Sequence, residues 1–81
     1  MPLRHASLRR LQVFEAVARL QSFSRAAAEL HLTQPAVSMQ VRQLEAEVGL
    51  PLYEPMGLRL DITPAGREIV ECARSLTLRL R

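Results

Sequence analysis

The sequence predicts a mainly α fold of three helices, a small β-hairpin and a long closing helix. Three observations carry this reading. The stretch from Ser22 to Glu45 reads as helix, tight polar break and second helix, with Thr33-Gln34-Pro35 as a start signal. From Leu58 to Ile62 the apolar spacing changes to two, as in a strand. Thr63-Pro64 then repeats the cap-and-proline signal and opens a last segment of helical period.

Taken in order, residues 1–6 read as a short N-terminal arm. Ser7 is a candidate N-cap, followed by an apolar stripe at Leu8, Leu11, Phe14, Val17 and Leu20 in steps of three. Ser22 and Ser24 can cap the second helix, whose Ala26, Ala27 and Leu30 face inward. The run Ala26 to Ala28 favours helix and allows a neighbouring helix to come close. His31-Leu32 forms the break. Thr33 caps the third helix, and Pro35 sits in its first turn, where a missing N–H costs nothing. Val37, Val41, Leu44 and Val48 form its buried stripe, and Gly49 and Pro51 stop it. Leu52-Tyr53-Glu54 is expected to pair with Leu58–Ile62 through Pro55-Met56-Gly57. In the last helix Ile69, Ala73, Leu76 and Leu80 recur at 4, 3 and 4, the spacing of a coiled-coil seam, with packing on the domain's own core as the competing reading. The chain ends with this helix still running. The expected layout is a winged helix-turn-helix over residues 7–62, its helix-turn-helix at about 23–42, then a long helix at 63–81, cut short.

Eighty-one residues make one small domain. No apolar run reaches the roughly 18 residues that span a bilayer, and the first ten residues lack a signal peptide's apolar core. The expectation is a cytoplasmic chain with no membrane partner. The single Cys72 cannot form an internal disulfide, and with His5 and His31 it has no metal-ligand spacing, so no metal or cofactor is expected. Eleven arginines, no lysine and eight acids give a net charge of +3, which suits a polyanionic partner. An enzyme is excluded on inspection, because paired carboxylates, a nucleophile with its base and a phosphate loop are all missing.

The third helix, residues 34–48, carries the chemistry. With Val37, Val41, Leu44 and Val48 inward, Pro35, Ala36, Ser38, Met39, Arg42 and Gln43 spread over the remaining face, and Gln34 projects from the first turn. Pro35 and Ala36 let the backbone approach bases and offer carbons to a thymine methyl. Gln34 suits a bidentate contact with adenine, and Ser38 a base edge or a phosphate. The open N–H groups that begin at Thr33 favour a phosphate oxygen. No acid precedes Glu45 in this helix, whereas Glu45 and Glu47 occupy its far half. Phosphates would repel acids along the groove, so the pattern predicts entry into the major groove tip-first. Arg25, near the start of the second helix, is placed to touch the DNA backbone. Solvation is the competing reading for Arg25.

The chain resembles the N-terminal DNA-binding domain of LysR-type transcriptional regulators. The matching residues are Leu11-Gln12-Val13-Phe14-Glu15-Ala16-Val17-Ala18, Ser22-Phe23-Ser24-Arg25-Ala26-Ala27 and Leu30-His31-Leu32-Thr33-Gln34-Pro35-Ala36-Val37-Ser38. Further matches are Gln43-Leu44-Glu45, Val48-Gly49, Leu52-Tyr53-Glu54 and Ile62-Thr63-Pro64-Ala65-Gly66. Val37 to Gln43 is similar to regulators of the Calvin-cycle carbon-fixation operon. The resemblance implies that the long helix at 63–81 is a linker and dimerisation helix, which pairs a homodimer on an inverted-repeat operator of double-stranded DNA. It also implies a tetramer in the full-length protein and a small-molecule effector bound only by a C-terminal domain absent from this chain. Two departures stand out. Met39 replaces a frequent arginine, so a phosphate contact is lost or moves to Arg42. Pro55 and Leu58 replace frequent wing arginines, leaving Arg59 as replacement or as a solvated residue. The alternative function is a winged-helix module for protein–protein contacts, with its basic charge incidental.

Overall fold

The computed structural model describes the backbone of residues 5–80 and the side chains of residues 7–76. The order is α1 (His5–Leu20), α2 (Phe23–Leu30), α3 (Gln34–Val48), β1 (Tyr53–Met56), β2 (Arg59–Ile62) and α4 (Pro64–Leu80). The three helices, hairpin and long helix of the sequence reading are all present. α1 begins at His5, so Ser7 lies within its first turn and does not cap it. The part of the expected arm before His5 falls outside the described residues.

α1 is the hub, packing on α2, α3 and α4 at once. Three neighbours require a buried arc wider than one stripe, and Val13 and Ala16 join Leu11, Phe14 and Val17 in the core. The core is completed by Ala26, Ala27, Val37, Val41, Leu44, Leu52, Val70 and Ala73.

Local chemistry sets the break between α2 and α3. The Ser22 hydroxyl accepts the Arg25 N–H at 3.1 Å and starts α2. His31 ends it in the left-handed region at φ 57°, and the Leu32 N–H reaches back to the Ala27 carbonyl at 2.9 Å. These bonds satisfy carbonyls that the helix end would otherwise orphan. Thr33 restarts the chain, its hydroxyl accepting the Ala36 N–H at 3.2 Å, with Pro35 in the first turn. Gly49 closes α3 at φ 80°, donating to the Glu45 carbonyl at 2.8 Å.

The hairpin differs in detail from the sequence reading. Pro55 and Met56 belong to β1, and the turn is the two residues Gly57-Leu58, closed by Met56 opposite Arg59. Gly57 at φ 61° supplies the positive φ that a two-residue turn needs. Leu58 therefore stands at the tip, fully exposed, while Leu60 and Ile62 are half-buried. Pro55 opposes Leu60. In a two-residue hairpin the pair next to the closing one exchanges no ladder bonds, so the N–H that proline lacks is not needed there.

Leu52 precedes β1 as a buried plug. Its N–H donates to a Glu45 carboxylate oxygen at 2.8 Å, and its carbonyl accepts the Thr63 N–H at 3.1 Å. Thr63 also caps α4 through the Gly66 N–H at 3.1 Å and donates to the Pro51 carbonyl at 2.7 Å. A side chain on Gly66 would place its Cβ 2.1 Å from the Leu52 carbonyl oxygen. α4 thus starts in direct backbone contact with the base of the wing.

Candidate nucleic-acid interface

The N-terminal half of α3 presents the residues selected from sequence. Thr33, Gln34, Pro35, Met39, Arg42 and Gln43 are exposed, and Ala36 and Ser38 are half-buried. At 100° per residue Met39 lies nearly opposite the mean direction of Val37, Val41 and Leu44. It is 49% exposed, an apolar side chain at the centre of the outward face. The Thr33 hydroxyl is engaged by its cap, so its donor remains for an outside acceptor.

Gln43 is placed differently from the rest. Its carbonyl oxygen accepts from Arg10 Nε at 3.3 Å, and Arg10 also pairs with Glu47. This contact draws the Gln43 side chain towards α1, away from the open face. Arg10 also neutralises one of the two acids in the far half of α3. Glu45, the other, turns to the Leu52 N–H.

The arginines fall into two sets. Arg19 binds Glu15, at 3.2 Å, and Glu29; Arg74 reaches Glu15 at 3.4 Å, so α1, α2 and α4 share one surface network. The hydrogen bond to Glu29, then that to Glu15, pushes the Arg19 guanidinium further up. The hydrogen bond from Arg19 holds the Glu29 carboxyl below its ordinary range. Exposed pairs of this kind contribute little stability; their effect is to occupy acids. Among the described residues, Arg25, Arg42 and Arg59 make no ion pair. The three arginines selected for DNA remain unneutralised, as do Arg9 and Arg67, whereas Arg10, Arg19 and Arg74 are paired. Arg19 stands four residues after Glu15, a local signal of pairing, but Arg10–Glu47 and Arg74–Glu15 join residues distant in the chain.

Along α4 the expected seam is divided. Ala73 is buried in this chain's own core at 1% exposure, so its side chain is not available to a second copy. Ile69 and Leu76 are half-buried on the shoulder of the same helix. The Leu80 side chain lies outside the described residues. Cys72 is exposed, and no cluster of His, Cys, Asp or Glu among the described residues could hold a metal ion. No described helix is long and apolar enough to cross a membrane.

Residues 8–67 match the family model described as bacterial regulatory helix-turn-helix protein, lysR family. The chain belongs to the LysR family. Within that family it is 60% identical over 77 residues to the RuBisCO operon transcriptional regulator of Allochromatium vinosum, covering 95% of the chain and 26% of that protein. It is 54% identical over 76 residues to the HTH-type transcriptional regulator CbbR of Rhodospirillum rubrum, covering 91% of the chain and 26% of the relative. The LysR-family chain therefore spans about a quarter of the length of these relatives. Among solved structures, the BenM DBD in its catB site 1 DNA complex superposes with a TM-score of 0.85 at 37% identity, covering 90% of this chain and 81% of that one. The mainly helical winged helix-turn-helix expected from sequence is the observed fold.

Proposed function

We propose that this chain is the DNA-binding part of a transcriptional regulator, with α3 entering the major groove tip-first from Thr33 to Arg42. The carrying observation is the exposed, acid-free N-terminal half of α3, together with Arg42 on the same helix, Arg25 on α2 and Arg59 on the hairpin, all without an ion pair. The likeness to a domain solved in a DNA complex supports the same reading. Gln34 reads a base, Ser38 a base edge or phosphate, Pro35 and Ala36 approach apolar edges, and the Thr33 end takes a phosphate. Arg25 and Arg42 contact the DNA backbone, and Arg59 carries the wing's contact. The names of the two relatives given above favour a carbon-fixation operon as the target. The setting is the cytoplasm, and in the longer protein a further domain takes the small-molecule effector and supports a tetramer.

Duplex affinity is expected to fall as salt rises, with a log–log slope of about −3 or steeper, one counterion released per arginine–phosphate contact. A flat response, or no duplex binding at low salt, would favour the protein–protein module instead.

Two copies pair through the α4 shoulder at Ile69 and Leu76, continued by Leu80, and this places two copies of α3 on an inverted repeat. Leu76→Glu is expected to give a monomer in sedimentation at a concentration where the native chain is dimeric. An unchanged dimer would move the interface elsewhere.

A further inference from the structure

We propose that the junction of α1 and α2, Gln21-Ser22 with the first α2 residue Phe23, is the seat that orients the wing, with Gln21 as a positioning residue for Arg59. This rests on the DNA-binding reading above. The junction touches both strands of the hairpin. The Gln21 side-chain oxygen accepts the Leu60 N–H of β2 at 3.3 Å. The Phe23 ring meets Tyr53 of β1 edge-on, centroids 5.3 Å apart and planes at 63°. Between these two contacts, Ser22 caps α2, the first helix of the helix-turn-helix. One short junction thereby joins the orientation of the wing to that of the helix on which α3 packs.

The backbone at Gln21 supports an assigned role for its side chain. Gln21 lies at φ 55°, a region that glycine enters readily and glutamine does not. Its amide nitrogen donates to the Ala18 carbonyl at 3.3 Å, so both ends of the side-chain amide are engaged. Leu60 stands opposite Pro55, where the ladder takes no bond, so its N–H points to the outer edge of β2. Gln21 occupies that edge group. Gln21, Arg59 and Leu60 also line one open groove, which places the clamp beside the wing's cation. Without it the hairpin pivots on its base at the buried Leu52 and half-buried Tyr53, and Arg59 loses its fixed height over the DNA.

Gln21→Gly separates this role from folding, because glycine accepts the backbone conformation while removing the clamp. The probe is a duplex carrying an inverted repeat selected from random sequence by the native chain. Melting temperature is expected to hold, Leu60 amide exchange to quicken, and duplex affinity to fall about 3-fold to 10-fold, the range of one lost hydrogen bond. In an Arg59→Ala background the same substitution is expected to cost no further affinity. Affinity equal to native, an equal loss in both backgrounds, or no effect of Arg59→Ala itself overturns the proposal. A native chain that binds no duplex at low salt removes the DNA reading together with this one. Binding by the native chain that Gln21→Gly matches removes this one alone.

Discussion

Gly66→Ala is expected to lower the melting temperature by about 4–8 °C, a net loss of roughly 1 kcal/mol in a domain of this size. The sign is the informative part. Inside a helix, alanine usually gains about 1 kcal/mol over glycine. Here the added Cβ would lie 2.1 Å from the Leu52 carbonyl oxygen and 2.8 Å from Ile62 Cγ2. The first of these neighbours is backbone, and that backbone is fixed. Leu52 is buried, held by Glu45 through its N–H and by the Thr63 N–H through its carbonyl. Overpacking of this kind costs about 1–3 kcal/mol and here exceeds the propensity gain. Thermal unfolding checks it, with the exposed Ser75→Ala on the same helix as control. A variant as stable as the native chain would mean that α4 does not start against the base of the wing.

Gln34→Ala is expected to relax preference at one base position by about 1–3 kcal/mol, roughly 5-fold to 150-fold. Gln34 is exposed at the first position of α3, immediately after the Thr33 cap, and no acid lies near it on the helix. Its amide matches the paired donor and acceptor of adenine, and no other exposed side chain on the tip does so. Affinities for a series of single-base operator variants decide the matter. The native chain is expected to discriminate at one position, and the variant to lose that discrimination alone. A uniform loss across every operator variant would make Gln34 a backbone contact. Arg42→Ala supplies the contrasting pattern, with an even loss and a shallower salt slope.

Much of this was legible in the chain because the signals were local. Thr33-Gln34-Pro35 and Thr63-Pro64 start helices with a hydroxyl that caps and a proline that needs no partner, and both helices begin there. Gly49 ends α3 for an equally local reason. The wing was legible as a hairpin but shifted in register. Alternation at Leu58, Leu60 and Ile62 fits a strand, yet the positive φ at Gly57 makes Leu58 part of the turn. Val13 and Ala16 escaped a one-stripe reading because α1 has neighbours on three sides. For the site, exposure along α3 followed from helical period alone. The turn of Gln43 towards Arg10, the burial of Ala73 and the clamp at Gln21 depend on partners at least one element away. Spacing within a helix carries no information about such partners.

The position of α1 has a consequence for how an operator is measured. Because α1 packs on both α3 and α4, the proposed groove-reading tip and the proposed pairing helix are coupled through it. In a dimer the distance between the two tips is then a fixed calliper setting. A tilt of a few degrees between the paired linker helices would be passed on undamped and would change which half-site spacing fits. Selection among operators would thus be exercised through the angle between two protomers, with every base contact left intact.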